Sequence, residues 1–308
     1  MKFISRENLH YYFDQIAPVI SIDPGERILV ETEDAIAGQL TPETVNQWSH
    51  AEMRANIPCS NPVTGPIFVN GAQPGDWLVV QIEKIEVAEY AWTLFDRHEG
   101  LLTNHLTLNT PLPETRRILP IKNNQLLFEF AGKTIQVPVQ PAVGTIGVAP
   151  AGERRYAFLN GNDFLGNVDL PSLGAGKTLV LPVHVAGGLL SMGDIHAVSG
   201  AGEISGGAAD CRGQVQLQVE LIKANEPRFR KLPQLNCPEF IGSIATGGSL
   251  DLAIKMAYHD LIQRMHADFG FSVIEAYQLL SSVGKVEIGQ FLPPVLHSVL
   301  AFISRRFL

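Results

Sequence analysis

A chain of 308 residues, 45% hydrophobic and 18% charged, carries enough apolar side chain for one large core or two smaller ones and is unlike a disordered polymer. Its formal net charge of −8 offers a phosphate backbone no counterion-releasing face, so nucleic acid is not an expected partner. The opening MKFISRENLHYYFDQ lacks the apolar core of a signal peptide, and no apolar run reaches the ~18 residues of a membrane span, so no membrane association and a cytoplasmic location are expected.

From residue 1 to about 240 the chain reads as short β-like runs separated by glycine and proline. SIDPGERILVETED and GAQPGDWLVVQIEK each set a Pro-Gly turn before Val, Leu and Ile, as a turn opening a strand requires. QLLFEFAGKTIQVPV predicts a hairpin turning at Gly132, and QVQLQVELI places Val215, Leu217, Val219 and Leu221 on one face. GAGKT lacks the first glycine and the interval of a phosphate-binding loop and precedes the strand-like LVLPVHV, so it is read as a turn. No GxSxG elbow and no dinucleotide-binding GxGxxG occurs. Cys59, Cys211 and Cys237 are few, odd in number and far apart, which suggests neither disulfides nor a thiolate metal site.

SIATGGS, residues 243 to 249, reads as a flexible connector, and beyond it the period becomes helical. Ser249 caps a helix with an apolar stripe of Ile254, Ala257, Leu261, Ile262 and Met265, ending before Gly270. Ser272 and Glu275 form a capping box for a second helix, which Gly284 ends in the left-handed conformation. His259 and His266 are read as solvated helix histidines. After Pro293 and Pro294, the residues Val295, Leu296, Val299, Leu300, Ile303 and Phe307 fall at helical spacing, which predicts an apolar terminal helix that must be buried, on a second subunit in preference to its own. The fold expected is mainly β, sandwich or barrel-like, with a C-terminal αα-hairpin: a β-rich region over 1–240 and a helical hairpin and tail over 241–308, integrated into one domain.

Two stretches concentrate polar side chains. LGNVDL offers Asn167 and Asp169, and GDIHAVSGAGE offers Asp194 and His196; each pair is spaced i, i+2, which on a strand points both members to one side. Gly200 and Gly202 allow a tight return that swings Glu203 back over them. Mixed oxygen and nitrogen donors suit zinc or a similar divalent ion. The same spacing also serves turn hydrogen bonds and a satisfied strand-end histidine, and the residues alone leave both readings open.

These stretches, with PVISIDPGERILVETEDAIAGQ, TGPIFVNGAQPGDWLVV, GTIGVAP, the long LVLPVHVAGGLLSMGDIHAVSGAGEISGGA and FGFSVIEAYQLLSS, resemble the acetamidase/formamidase family from about His10 to Gln290. The resemblance implies a mostly β fold, a homo-oligomer, and hydrolysis of a small amide such as formamide, acetamide or a lactam. It points to Asp34, Asn167, Asp169, Asp194, His196 and Glu203 as the matching site residues. The expected roles are metal ligation by Asp169, Asp194 and His196, proton transfer by Glu203 and substrate binding by Asp34 and Asn167, in a small pocket lined by Trp92 and Phe164. A family glutamate is replaced by Asp210, and Gly284-Lys285-Val286 and FLPPVLHSVLAFISRRFL depart from the usual ending. A non-catalytic ligand-binding protein on the same fold is the alternative.

Overall fold

The computed structural model describes residues 1–47, 50–95, 100–102, 113–292 and 295–308. The two Pro-Gly turns act as their sequences predict: Gly25 and Gly75 take the left-handed backbone at φ 89° and 94°, and the chain leaves them into strands Arg27–Thr32 and Trp77–Val87. Strands Gln125–Phe130 and Lys133–Pro138 pair antiparallel across Ala131 and Gly132, both at positive φ, as a two-residue hairpin of matching twist demands.

Among the described residues, the strands form two large sheets. The first has nine strands, in the order Lys2–Ile4, Arg27–Thr32, Gly213–Ile222, Trp77–Val87, Lys177–Pro182, Gln234–Asn236, Phe240–Gly247, His297–Ser304 and Lys285–Ile288. The second has twelve, and its middle runs Tyr90–Phe95, Ala209–Cys211, Leu190–Val198, Ala142–Gly147 and Leu165–Asn167, with Val63–Val69 also paired to Leu190–Val198. Ile28, Val30, Leu78 and Val80 of the first sheet share one buried core with Val143, Ile146, Met192 and Ile195 of the second, which makes the molecule a sandwich.

The outer face of the first sheet is covered by helices Leu250–Phe269 and Val273–Val283. Ala257, Leu261, Ile262 and Met265 bury against Ile241, Ala245, Val299, Ala301 and Ile303, while Ile254 packs at the margin. Ser249 and Ser272 cap the two helices, the second in a full capping box, and Gly270 ends the first at φ 78°. His259 and His266 are exposed.

Three expectations fail here. Gly284 is extended, at φ −63° and ψ 149°, because the chain passes from the helix directly into strand Lys285–Ile288. SIATGGS is no connector: Phe240–Gly247 is a buried strand. The tail is not a helix and needs no second subunit to bury it. Residues His297–Ser304 form a strand paired on both edges, through eight residues with Phe240–Gly247 and four with Lys285–Ile288. Val299, Ala301 and Ile303 face the helices while Leu300 enters the inter-sheet core, so the run is apolar because both faces are covered. Pro293 and Pro294, expected to break the chain before it, lie outside the described residues.

Candidate active site

The second sheet brings four short pieces of chain to one point. His196 lies in strand Leu190–Val198, opposite Asp210 of the neighbouring strand. Asp194 precedes it at φ 57°, and the pairing with Ala142–Gly147 skips one position on each strand there, at Asp194 and Gly144. Asp169 follows strand Leu165–Asn167 at φ 46°, and the Val168 and Asp169 amides both donate to the Gly144 carbonyl, at 3.0 and 3.2 Å. Glu203 returns through Gly202 at φ 82° and is itself at φ 42°.

His196 is the hub of the resulting nest. Its Nε2 lies 3.4 Å from Asp194 Oδ1, 3.5 Å from Asp210 Oδ1 and 3.8 Å from Asp169 Oδ1, and its Nδ1 lies 3.1 Å from Glu203 Oε1. All five residues are buried. Asp169, His196 and Glu203 offer ligand atoms within 4.8 Å of one another, and so do Asp194, His196 and Asp210. Asp169 Oδ1, Asp194 Oδ1 and His196 Nδ1 have no hydrogen-bond partner despite burial. The space they share is kept by Gly144, where a Cβ would stand 2.7 Å from Asp169 Oδ1, Asp194 Oδ2 and His196 Cε1.

The remaining oxygens are held from behind. Asn61 Nδ2 donates to Asp194 Oδ2 at 2.6 Å, and Gln290 Nε2 to Asp169 Oδ2 at 2.9 Å. Thr145 Oγ1 lies 3.0 Å from Asn167 Oδ1 and 3.1 Å from Asp194 Oδ2, and donates to one of them at a time.

Burial and mutual repulsion dominate the electrostatics. Burial, reinforced by Asp194, pushes the Asp169 carboxyl up to about 7. Burial and the neighbouring carboxylates raise Glu203 and Asp210 well above the ordinary range. Burial opposes protonation of His196, but Glu203, Asp194 and Asp210 outweigh it and hold the imidazole pKa well above its usual value. Four acids around one imidazole, two of them (Asp169 and Asp194) with a buried unpartnered oxygen, and a space kept clear by a glycine, fit a divalent cation: the donors are hard oxygens plus one nitrogen, and a positive ion would offset their repulsion.

The nest forms the polar end of a cavity of about 400 Å³ whose other walls include Ile36, Met53, Ile57, Trp92, Phe158 and Leu292. Trp92 lines it as expected. Phe164 does not: it packs in a separate core with Phe13, ring centroids 5.5 Å apart, and Phe158 takes the wall position.

The family model for "Acetamidase/Formamidase family" matches residues 5–159 and 158–291, together most of the chain. The chain belongs to the acetamidase/formamidase family. The crystal structure of an acetamidase from Bacillus halodurans superposes with a TM-score of 0.89 at 29% identity, covering 99% of this chain and 98% of that one. An acetamidase from Yersinia enterocolitica gives 0.89 at 32% identity, covering 99% and 92%. The formamidase of Methylophilus methylotrophus is 27% identical over 332 residues, 90% of this chain and 80% of its own length, and the chain spans 64% of the length of two further curated relatives.

Of the six residues expected from the acetamidase/formamidase resemblance, Asp169, Asp194, His196 and Glu203 converge, and Asn167 lines the same cavity. Asp34 stands behind the wall. Its Oδ1 accepts from the Ile36 and Gly38 amides, and its Oδ2 from Trp92 Nε1 at 2.9 Å. Asp210, noted in the sequence only as a departure from the family pattern, is a full member of the nest. Gly144, Asn61, Thr145 and Gln290 were missed. Gly144 and Thr145 lay inside the recognised GTIGVAP, whereas nothing local to Asn61 or Gln290 distinguishes them from surface amides.

Proposed function

We propose that this chain is an amidohydrolase that cleaves the C–N bond of a small amide, giving a carboxylate and ammonia or an amine, with a divalent metal, zinc first among candidates, in the carboxylate-histidine nest. The observation that carries the reading is the placement of that buried nest at the end of an apolar-walled cavity of about 400 Å³, a size suited to a small molecule. The names of the acetamidase and formamidase relatives support the substrate class.

Asp169, Asp194 and His196 are the proposed ligands, with Asp210 added to them on its 3.5 Å approach to His196 Nε2. When bound there, the ion supplies Lewis acidity, polarising a carbonyl and making water acidic enough to ionise near neutrality. Amide hydrolysis also needs a proton moved from the attacking water to the departing nitrogen. Glu203 is assigned that transfer at Oε1, which lies 3.1 Å from His196 Nδ1, because burial and the neighbouring carboxylates raise its proton affinity above that of an ordinary glutamate. Asn167, its Oδ1 beside the Thr145 hydroxyl, presents Nδ2 as the donor end toward a developing oxyanion. Asp34 is assigned to orienting Trp92 and the 34–38 turn, since both its oxygens are already engaged. Ile36, Met53 and Leu292 exclude bulk water and favour short acyl groups.

The test joins elemental analysis to an ammonia-release assay on formamide, acetamide and a lactam. About one metal per nest and turnover of at least one amide are expected; no metal and no turnover would favour the ligand-binding alternative. His196→Ala should remove both metal and activity with the fold retained. Glu203→Gln should keep the metal and lower turnover by about 10²- to 10⁴-fold, and loss of metal in that variant would make Glu203 a ligand instead.

A further inference from the structure

A second cavity, of about 740 Å³, lies against Val79, Thr178, Val180, Gln234 and Asn236, on the nine-stranded sheet and therefore on the opposite layer from the carboxylate nest. Four guanidinium groups line it: Arg228, Arg230, Arg264 and Arg305. They reach it from the segment after strand Gly213–Ile222, from the long helix, and from the end of strand His297–Ser304. In a chain of net charge −8 this is a local reversal of sign that composition conceals.

The reversal is not neutralised from within. Arg6, Arg27 and Arg212 each pair with a glutamate, yet among the described residues none of the four cavity arginines makes an ion pair. One carboxylate in the wall, Asp268, offsets the four cations only in part. Asp268, the carboxylate in the cavity wall, accepts from the Phe229 amide at 3.0 Å, and Asp260 accepts from Ser243 Oγ at 2.7 Å. Glu226 and Asp268 act on Arg230 through space, and Arg228 opposes them.

Arg264 is the strongest indication. It is 6% exposed, with Nη1 donating to the Gly242 carbonyl at 3.2 Å and Nη2 to Asn236 Oδ1 at 2.8 Å, while Nε has no partner. Burial pulls its pKa down to about 10 against the opposing effects of Asp268 and Asp260, and Arg305 and Arg230 pull the same way as burial. A buried guanidinium with no carboxylate in ion-pair contact and an unpartnered Nε is costly, and the guanidinium fork matches the oxygens of a tetrahedral oxyanion. Arg305 is held for the same purpose, its Nε donating to the Cys237 carbonyl at 2.7 Å.

We propose that this cavity is a binding site for a small, multiply charged oxyanion of the phosphate class, built by Arg228, Arg230, Arg264 and Arg305 and separate from the amidase centre. The probe is inorganic phosphate, titrated into the full chain by calorimetry and by thermal unfolding, with sodium chloride at equal ionic strength as the reference. Saturable one-site binding and a phosphate-specific rise in Tm are expected. Arg230→Gln and Arg305→Gln should each raise the Kd about tenfold or more, and the double variant should lose the response, with phosphate-free amide hydrolysis unchanged in all three. Arg264 is left intact in this test because it also ties Gly242 to Asn236. Stabilisation no greater than that from sodium chloride would overturn the proposal. So would undiminished phosphate binding in the double variant, which would put the anion elsewhere, at the carboxylate nest for instance.

Discussion

Asp169, Asp194 and Glu203, the proposed ligands and proton carrier, stand on backbone that such residues seldom adopt, at φ 46°, 57° and 42°, and Asn61, which holds Asp194, sits at φ 58°. Each left-handed residue costs on the order of 1 kcal/mol, a cost tolerated where the arrangement serves a site. Gly144 marks how little slack remains. Gly144→Ala should keep the far-ultraviolet circular dichroism of the parent while weakening metal binding, titrated directly with zinc, by about tenfold or more, because the added carbon fills the space between three donor side chains. Unaltered zinc affinity would mean that the ion lies elsewhere. Asp34 gives a separate pH signature: burial lifts its carboxyl to about 6 despite the amide and indole donors. Between its unfolded value near 3.9 and about 6, the folded chain keeps a proton the unfolded chain has lost. Its contribution to stability is therefore full below about pH 4 and is lost as pH rises through about 6. The Trp92 indole N–H, which donates to Asp34, should shift in an NMR titration with a midpoint near pH 6, and Asp34→Asn should abolish that shift. A resonance that stays flat from pH 4.5 to 8 would contradict the raised value. At this scale the sequence told much about Asp194 and His196, which do lie side by side, though on a strand whose backbone turns left-handed at Asp194, where one pairing position is skipped, rather than a regular one. It told little about Asn61 and Gln290, whose roles exist only once distant segments meet.

Elements whose signals are local were legible in advance. The caps at Ser249, Gly270 and Ser272 and the hairpin at Gly132 depend on neighbours within a few residues and formed as expected, whereas the cap at Gly284 did not. Ser272→Ala should accordingly cost about 1 kcal/mol, seen as a lower midpoint in urea, since it removes the side-chain acceptor for the Glu275 amide. The strand His297–Ser304 was illegible for the opposite reason. A run buried on both faces has apolar residues at almost every position, so helical spacing can be found in it as readily as alternation. Its burial makes a firm prediction: Leu300→Ala should lower stability by about 2–5 kcal/mol, and removing residues 295–308 should prevent cooperative folding rather than merely change an assembly mass. A truncated chain with the parent's unfolding transition would show the strand to be dispensable.

Exposed apolar side chains are scattered over the whole molecule, and the helical layer carries several of them: Ile274 is 70% and Tyr277 68% exposed, and Val273 and Leu252 are exposed as well. This face supports the proposed homo-oligomer. Light scattering should give a mass that is a multiple of the single chain, and Ile274→Asp with Tyr277→Asp should reduce it; an unchanged mass would move the interface to another face. No described helix is long and apolar enough to cross a membrane. The mainly β character was readable from the short runs divided by glycine and proline, which left sandwich and barrel open, but the strand order was not, because residues 27–32 and 213–222 become neighbours through pairing that no local pattern encodes. That order has a consequence for synthesis on the ribosome. Gln290, which holds Asp169, and Ser298, which holds the Val168 carbonyl at 2.6 Å, are translated more than 120 residues after the segment they organise. Until they leave the exit tunnel, strand Phe240–Gly247 has one unpaired edge and the nest lacks one wall. A nascent chain stalled before residue 290 therefore presents chaperones with an open sheet edge and an unfinished carboxylate-histidine nest, so the proposed activity would be acquired only after the late strand has been delivered.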